Sequence, residues 1–448
     1  MTLGGRTVRI VGGGMTGLTL AYRLSRQGAR VVVYERDPYL GGLASESTIA
    51  GIPAERFYHC ILPTDTALLS LLDELGLAAE IGWTKTRTGF FHESRLLEMT
   101  TTADFLRFPA LRLTDRIRLA WTIILCSLHR GWEAFDEQPI GAFLRRHGGE
   151  RLFRLLWEPL LLAKLGPDYD RFSASFIWAT INRMMSARKA RGRSERLGFV
   201  RGRYGKVFRA LRTAIEDRGG EICAGKRVDG MSAGKEPGTW TLIVDGVVTP
   251  PSAVVLCIPA PIASGWVDKI LPEAKDTLRG MEYLGVLCES VLLKHSLTPY
   301  YVLNLTDRSL PFTGVIEMSN LTGTEEFNGC SLVYLPRYAG QGSNIWDLSD
   351  EELHRENMSG LRRIAEDLRE EDIISWSLHR ARYVQPIHRV GRGKEKVPVE
   401  LAPGLFYLST AQIHPWPVFN DRVVRHVDEN VGDLLLGMKQ DPALKGNT

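Results

Sequence analysis

The feature that most constrains this chain is a run of glycines between a short apolar strand and a helix. Residues 12–17 read Gly-Gly-Gly-Met-Thr-Gly, which fits the spacing G-x-G-x-x-G. Residues 6–11 before the run form a short segment with Val8, Ile10 and Val11, and residues 18–27 after it place apolar side chains on one helical face. Gly28 ends that helix, and a second apolar segment covers residues 29–35. The sequence therefore predicts a strand–helix–strand unit within an α/β fold.

Each glycine of the run has a different predicted role. Gly12 makes the tight turn after the strand, Gly14 lets the backbone approach a diphosphate, and Gly17 lets the helix pack closely on the sheet. The helix N-terminus offers free N–H groups and a partial positive charge to phosphates. Glu35 is placed to accept hydrogen bonds from an adenosine ribose. The motif predicts a bound dinucleotide without separating NAD from FAD, and a glycine turn required by packing alone is the alternative.

A second glycine pair narrows the choice of dinucleotide. Residues 36–44, Arg-Asp-Pro-Tyr-Leu-Gly-Gly-Leu-Ala, resemble the second fingerprint of the flavoprotein superfamily that contains amine oxidases, protoporphyrinogen oxidase, phytoene desaturases and UDP-galactopyranose mutase. Further segments that resemble this superfamily lie at 57–59, 157–161, 197–199 and 254–259. The resemblance implies FAD as cofactor. It also implies an α/β fold with a Rossmann-like (GR2-type) FAD-binding domain, an interleaved α+β substrate domain and a helical cap.

Strand patterns that return late in the chain, the last of them at residues 404–408, predict a discontinuous FAD-binding domain. This domain is expected to comprise residues 1–75, 197–265 and 395–440. Residues 76–196 have few strand signals and are expected to form a mostly helical cap or substrate region. Residues 266–394 mix strands with a helix and are expected to form an α+β substrate-binding region. The domains are therefore expected to be interleaved along the chain.

The resemblance assigns a set of residues to the cofactor. They are Gly12, Gly14, Met15, Thr16, Gly17, Glu35, Arg36, Gly42, Leu43, Ala44, Val228, Cys257, Thr410, Phe419 and Asn420. Val228 is expected at the end of a strand, with its backbone meeting adenine. Ser409-Thr410 stands where many relatives carry Gly-Asp, so hydroxyls would contact the diphosphate and ribityl region. A helix is expected to follow, capped by Asn420 or Asp421, with its N-terminus directed at the flavin.

His59 and His414 are the predicted catalytic residues. Each lies on a segment that the resemblance places near the isoalloxazine, where an imidazole could accept a substrate proton. Histidines that only satisfy local backbone groups are the alternative. Tyr58 and Trp416 are expected to shape an apolar substrate pocket, and Glu55 is expected to be exposed to solvent.

The predicted function is that of an FAD-dependent oxidoreductase of the dehydrogenase or desaturase type. It would transfer hydride from a hydrophobic or diphosphate-bearing metabolite to flavin N5. A non-redox flavoenzyme resembling UDP-galactopyranose mutase and an amine oxidase are the alternatives. Amine oxidases of the superfamily use a lysine that holds water at N5. The comparable strand here puts Glu289 in that place, with Lys294 as the other candidate, which argues against amine oxidation.

Composition limits the class of partner and the cellular compartment that we expect for this protein. A formal net charge of +4 falls short of the basic surplus of nucleic-acid-binding proteins, so a small-molecule partner and no nucleic acid are expected. The six cysteines are scattered and none has metal-ligand spacing, so no metal site is expected. Reduced cysteines and a polar start without a signal sequence predict a cytoplasmic protein.

Two stretches bear on membrane contact. Residues 119–128 form the longest apolar run, too short to span a bilayer. A buried helix is expected there, and a helix that dips into the inner membrane face is the alternative. Residues 188–206 carry eight cationic side chains against one acid. A solvated loop is expected there, and attraction to anionic head groups or to a substrate diphosphate is the alternative.

Overall fold

The computed structural model describes residue 4 and residues 6–101, 104, 107–189, 196–268, 270–271, 278–395 and 397–440. Its strands are β1 Thr7–Val11, β2 Arg30–Glu35, β3 Glu46–Ile49, β4 Ile52–Glu55, β5 Ile81–Lys85, β6 Thr88–His92, β7 Arg95–Glu98, β8 Arg196–Val200, β9 Glu221–Ala224, β10 Val228–Ala233, β11 Trp240–Val244, β12 Val247–Val248, β13 Ala253–Leu256, β14 Tyr283–Leu293, β15 Val302–Leu305, β16 Gly314–Glu317, β17 Ser331–Gly340, β18 Ile373–Pro386, β19 Glu400–Ala402 and β20 Leu405–Tyr407. Its helices are α1 Met15–Ser25, α2 Thr66–Glu74, α3 Leu113–Leu128, α4 Glu133–Asp136, α5 Ile140–Gly148, α6 Glu150–Leu152, α7 Glu158–Leu165, α8 Ser175–Lys189, α9 Arg203–Glu216, α10 Ala260–Val267, α11 Ser319–Thr322, α12 Asp350–Ile364 and α13 Asn420–Gln440.

A six-stranded sheet in the order β19-β20-β13-β1-β2-β9 confirms the predicted α/β fold. Its strands are parallel except for β19, which runs antiparallel to β20. The central strands are nearly continuous runs of buried Val and Ile, as parallel strands are when helices cover both faces. α1 and α13 pack together against this sheet. The predicted strand–helix–strand unit is formed by β1, α1 and β2.

A second, seven-stranded sheet has the order β18-β14-β17-β16-β15-β6-β7. Every residue of β14 is buried, because β17 and β18 flank it and side chains pack on both of its faces. α12 packs on one face of this sheet. The helices α3 to α8 form a separate apolar cluster beside it. The α/β sheet, the mixed sheet and the helical cluster are therefore the three layers that surround the candidate site.

Two sequence predictions about strands differ from the structure. Val228 begins β10 instead of ending the preceding strand, because Gly225 adopts a positive φ of +72° and breaks the chain between β9 and β10. The last parallel strand covers only Leu405–Tyr407, and Gly404 before it has a φ of +70°. Both differences come from glycines that end or start a strand where the apolar pattern continues.

The expectation that residues 119–128 form a buried helix is wrong. They are the second half of α3, which buries Leu119 and Cys126 against the neighbouring helices. Its opposite face carries large apolar side chains that are 48% to 71% exposed, namely Leu113, Ile117, Trp121, Ile124 and Leu128. Apolar residues lie around most of this helix, and only one face finds packing partners. None of the helices in the described part of the chain is a candidate for a membrane span.

Candidate active site

The glycine turn between β1 and α1 is fixed by contacts with neighbouring backbone. A Cβ added at Gly12, whose φ is +111°, would lie 2.6 Å from the Cys257 carbonyl oxygen. A Cβ at Gly17 would overlap the carbonyl oxygen of Gly12. Gly14 differs, because the nearest atom to an added Cβ is the Gly42 Cα at 3.9 Å. Packing therefore requires glycine at two positions of the motif, whereas at the third the space beside the backbone is open.

Glu35 stabilises this turn with both of its carboxylate oxygens. The backbone N–H of Gly13 donates to Oε2 at 2.7 Å, and the N–H of Asp37 donates to Oε1 at 3.0 Å. The second glycine pair is joined to the same turn, since the Gly41 N–H donates to the Gly13 carbonyl at 2.8 Å. The side chain of Arg36 is exposed. The two glycine segments and Glu35 thus form one hydrogen-bonded unit at the end of β2.

The N-termini of α1 and α13 lie at the same edge of the six-stranded sheet. The two helices run parallel: Arg23 Nε, in the last turn of α1, bonds Asp428 Oδ1 at 2.7 Å, about eight residues into α13. At the opposite edge, Arg6 donates to the Met438 carbonyl at 2.6 Å. Both positive helix ends therefore point to the edge where the glycine turn and Glu35 lie, which favours an anionic ligand there.

Two buried polar groups, one at the start of α13 and one on α9, have no hydrogen-bond partner among the described residues. Asn420 Nδ2 and the Tyr204 hydroxyl are buried without a hydrogen bond to any described residue. Burial raises the pKa of Tyr204, and the neighbouring Asn420 amide opposes the rise. Asp421 is not the cap of its own helix, because its Oδ1 accepts from the N–H groups of Ala67 and Leu68 at the start of α2. The two orphaned donors fit a site that is completed by a bound group with acceptor oxygens or nitrogens.

Glu55 and His59 form a pair beside these groups. Glu55 is buried, which corrects the expectation that it is exposed. Its Oε1 accepts from the Tyr204 backbone N–H at 3.1 Å, and its Oε2 lies 3.3 Å from His59 Nδ1. The Tyr334 hydroxyl donates to the Glu55 carbonyl at 2.6 Å. A cavity of about 10 Å³, room for about one water, lies against the pair. The carboxylate therefore orients the imidazole through its Nδ1.

Tyr58 belongs to a polar chain that sequence reasoning missed. Its hydroxyl lies 3.3 Å from the Tyr338 hydroxyl, to which Lys164 Nζ donates at 2.8 Å. The Lys164 ammonium also lies 4.0 Å from the centre of the Tyr338 ring. The three residues come from the segment after β4, from β17 and from α7. A lone lysine among the leucines of α7 was the available signal, but its partners are distant in the sequence.

His414 lies in a second chain, where the helical cluster meets the loop before α13. Its Nδ1 lies 3.1 Å from His388 Nδ1, and its Nε2 lies 3.6 Å from Asp136 Oδ1. Trp132 packs edge-on against the His414 ring. Burial lowers the pKa of His414 to about 4 and that of His388 to about 3. Both imidazoles are therefore neutral near pH 7, and neither His388 nor Asp136 was predicted from sequence.

The aromatic residues near α13 contact the helical cluster. Trp416 lies 5.7 Å from Trp178, ring centre to ring centre. The Arg183 guanidinium stacks 3.4 Å from the centre of the Phe419 ring and bonds Asp65 at 3.2 Å. These contacts attach α8 to the loop that precedes α13. They place Trp416 and Phe419 between the α/β sheet and the helical cluster.

The remaining predicted cofactor residues follow elements that end at the same sheet edge. They are Met15 and Thr16 at the start of α1, Leu43 and Ala44 in the turn after Gly42, Cys257 directly after β13, Thr410 shortly after β20, and Val228 at the start of β10. Lys226, two residues before Val228, donates its backbone N–H to the Glu35 carbonyl at 2.8 Å. These positions therefore lie at the same edge of the sheet as the glycine turn.

Glu289, which the sequence comparison matches to the amine-oxidase lysine, bonds residues of α12. Its carboxylate is fully buried on the α12 side of β14, where it bonds His354 and accepts from Asn357 Nδ2 at 2.6 Å. The adjacent Cys288 faces the opposite side and packs in the cluster that contains Tyr58. Side chains alternate along a strand, so a register difference of one residue reverses the face. Glu289 therefore lies on the face of β14 opposite to Cys288 and Tyr58.

Lys294 and the basic stretch of residues 188–206 are the other cations singled out in the sequence. Lys294 is exposed at the end of β14. Residues 190–195 of the basic stretch lie outside the described residues. Within the part that is described, Arg203 pairs with Glu326 at 3.1 Å. Lys206 likewise pairs with Glu80 at 2.9 Å, so protein carboxylates neutralise these two cations of the stretch.

Fold and site together define a flavoprotein of the dinucleotide-binding class. Residues 15–398 match the family model of flavin-containing amine oxidoreductases, so the chain belongs to that family and FAD is its cofactor. The open space at Gly14 and the orphaned donors at Asn420 and Tyr204 fit this cofactor. No cluster of three or more possible metal ligands occurs among the described residues.

Similar proteins include oxidases of different substrates. A putative flavin-containing monoamine oxidase, AofH, of Mycobacterium tuberculosis is 41% identical over 70 residues, covering 16% of this chain and 15% of that protein. Coproporphyrinogen III oxidase of Propionibacterium freudenreichii is 27% identical over 206 residues, covering 42% and 38%. The chain thus matches less than half the length of these relatives. A putative protoporphyrinogen oxidase structure from Exiguobacterium shares the fold, with a TM-score of 0.76, 18% identity, and coverage of 96% and 99%.

Proposed function

We propose that this protein is an FAD-dependent dehydrogenase or desaturase that acts on a hydrophobic or diphosphate-bearing metabolite. The observation that carries the proposal is the chain from Lys164 through Tyr338 to Tyr58. It brings a cation to the segment that also carries His59. Lys164 makes no ion pair with any acid in the described part of the chain. An ammonium without a carboxylate partner favours an anionic group on the substrate and disfavours a protonated amine.

The residues that would hold FAD lie at the edge where α1 and α13 begin. The diphosphate would bind beside Gly14 at the N-terminus of α1, whose N–H groups would donate to it. Glu35 would accept hydrogen bonds from the adenosine ribose. Asn420 would donate to the far end of the cofactor, where its amide now lacks a partner. When bound, FAD supplies the hydride acceptor at its N5.

His59 is the proposed base that takes the substrate proton. The Glu55 carboxylate can accept from its Nδ1–H, which leaves the Nε2 lone pair free to accept a proton. Glu55 also stabilises the positive charge that the ring then carries. His414 is the second candidate, because burial lowers its pKa to about 4 and keeps it a neutral acceptor at pH 7. The Asp136 carboxylate, 3.6 Å from its Nε2, would favour the protonated ring.

The apolar part of the substrate is assigned to the aromatic surface between the layers. Tyr58 packs against Tyr334 with ring centres 6.2 Å apart, and Trp416 packs against Trp178. These rings would exclude water from the reacting carbon, which strengthens charge interactions with Lys164. The combination of an apolar wall and one cation supports a lipid-like or aromatic metabolite with a terminal phosphate or carboxylate.

The test is anaerobic reduction of the FAD-loaded protein by a panel of candidate substrates. Polyprenyl diphosphates, tetrapyrroles, amines and nucleotide sugars would be compared by the bleaching of flavin absorbance. We expect bleaching by an apolar anion. Lys164→Met should raise the KM for it more than it lowers kcat, and Lys164→Arg should restore part of the affinity. Lys235→Met, at an exposed lysine after β10, should change neither.

Three results would contradict the proposal. Flavin bleaching by amines alone would show that the protein is an amine oxidase. Turnover of a nucleotide sugar without net electron transfer would make it a non-redox flavoenzyme. Equal kinetics for the Lys164→Met and wild-type proteins with the reactive substrate would remove the cation from recognition.

A further inference from the structure

The outer face of α3 is an apolar surface that no described residue covers. Leu113, Ile117, Trp121, Ile124 and Leu128 follow one another at intervals of four, four, three and four residues, which places them on one helical stripe. Met184 of α8, which is 56% exposed, lies on the helix that packs against α3. Monomeric proteins rarely expose a contiguous apolar surface of this kind without a partner.

The margins of this surface are basic. Residues 112–130 contain four arginines, and Arg112, Arg118 and Arg130 are exposed. The single acid of that segment is Asp115, which is buried and paired with Arg151. The α3 face therefore combines a central apolar stripe with a net positive border. This combination is complementary to the interface of a membrane that contains anionic lipids.

We propose that α3 docks this protein on the surface of an anionic membrane, with the helix lying in the plane of the interface. Its 16 residues span about 24 Å along the axis. The inner stripe, which includes Leu119 and Cys126, is already occupied by the protein core, so only the outer stripe can enter the lipid. Arg112 and Arg130 lie at the two ends of the stripe, where their side chains reach head-group phosphates.

The positive charge at the margins also favours a membrane, and not a second copy of the chain, as the partner of the α3 face. A two-fold contact through the α3 faces would bring the same arginines of both copies together, and like charges at an interface oppose association. A lipid surface has no such conflict, because its phosphates neutralise the arginines. The position of Asp115 adds to this, since its charge is withdrawn from the face by Arg151.

The experiment is flotation of the FAD-loaded protein with vesicles of phosphatidylcholine containing phosphatidylglycerol, at low and high salt. Vesicles of phosphatidylcholine alone are the lipid control. The variant Ile117→Ser/Trp121→Ser removes the centre of the stripe. Val247→Ser/Val248→Ser is the matched control, because these two residues are 69% and 62% exposed on a distant hairpin. FAD content and circular dichroism show whether each variant is folded, independently of any substrate.

We expect the wild-type protein and the hairpin variant to float with anionic vesicles and to release at high salt. The α3 variant should lose at least about tenfold in bound fraction, since two large apolar side chains no longer enter the interface. Brominated lipids should quench tryptophan fluorescence less in Trp121→Phe than in the wild-type protein. No flotation, or equal flotation of the α3 variant, overturns the proposal. A dimer that Ile117→Ser/Trp121→Ser dissociates, without vesicle binding by the wild-type protein, also overturns it.

Discussion

Replacement of Gly14 by valine is expected to separate cofactor binding from folding. An added Cβ at Gly14 has no protein atom closer than the Gly42 Cα at 3.9 Å, and the φ of this residue, −79°, suits any side chain. At Gly17 the added Cβ overlaps the Gly12 carbonyl oxygen. The Gly14→Val apoprotein should therefore fold with a stability within about 1 kcal/mol of the wild-type apoprotein. Gly17→Ala should destabilise it clearly.

Gly14→Val is expected to weaken binding of the FAD diphosphate. The new side chain fills the space beside the start of α1 and keeps the phosphates from its N–H groups. Loss of two charge-assisted hydrogen bonds, each contributing roughly 2 kcal/mol, totals about 4 kcal/mol. That loss corresponds to a roughly thousandfold weaker Kd for FAD. The protein should therefore lose its flavin during purification.

Two measurements check this prediction. Calorimetric titration of the apoprotein with FAD gives the Kd, and thermal melting followed by circular dichroism gives the stability. Gly432→Val is the matched control, because this glycine is exposed in α13 and an added Cβ has no neighbour within 4 Å. An unchanged Kd for Gly14→Val would refute the position of the diphosphate. Destabilisation of the apoprotein as large as that of Gly17→Ala would refute the claim that the site is open.

Three further predictions concern the buried polar groups. Glu55→Gln should slow substrate-driven flavin bleaching about tenfold in stopped flow, because an amide cannot stabilise a protonated His59; an unchanged rate would exclude the pair from proton transfer. Glu289→Ala should cost about 3 kcal/mol in urea unfolding by orphaning buried donors, without changing the bleaching rate. His388 and His414 have pKa values below their ordinary 6.5, so the unfolded chain binds protons first. Their contribution to the free energy of unfolding should be fully present above pH 6.5. The free energy of unfolding should fall by roughly 1.4 kcal/mol per histidine for each pH unit below about 6. His388→Gln should reduce this slope in urea titrations.

The parts of the fold that could be predicted from sequence are local. The β1–α1–β2 unit takes up residues 7–35, and its glycines and Glu35 contact one another within that span. Apolar periodicity and turn chemistry act over the same distance, so they predict such a unit well. The predicted start of the last helix was nearly correct for the same reason, with α13 beginning at Asn420.

The chemistry of the site depends on contacts that periodicity does not record. Glu55 is buried because Tyr204 and Tyr334 approach it from distant elements. The orientation of Glu289 follows from the register of β14, in which one residue decides the face. Lys164 and Tyr338 meet across two layers that are separate in the sequence. Single-sequence reasoning can propose binding segments one at a time, but it could not supply the pairing of side chains between them.

The parallel packing of α1 and α13 has a consequence for how the protein acquires its cofactor during synthesis. The glycine turn emerges from the ribosome among the first residues, whereas the helix end that faces the same sheet edge emerges roughly 400 residues later. β1 pairs with β13, and β13 pairs with β20, so the central sheet is complete only after both later strands have been synthesised. During nearly all of its translation, a nascent chain therefore contains the glycine turn of the cofactor site but not the start of α13. Tight flavin binding should coincide with completion of the chain, and a protein truncated before residue 420 should be released without it.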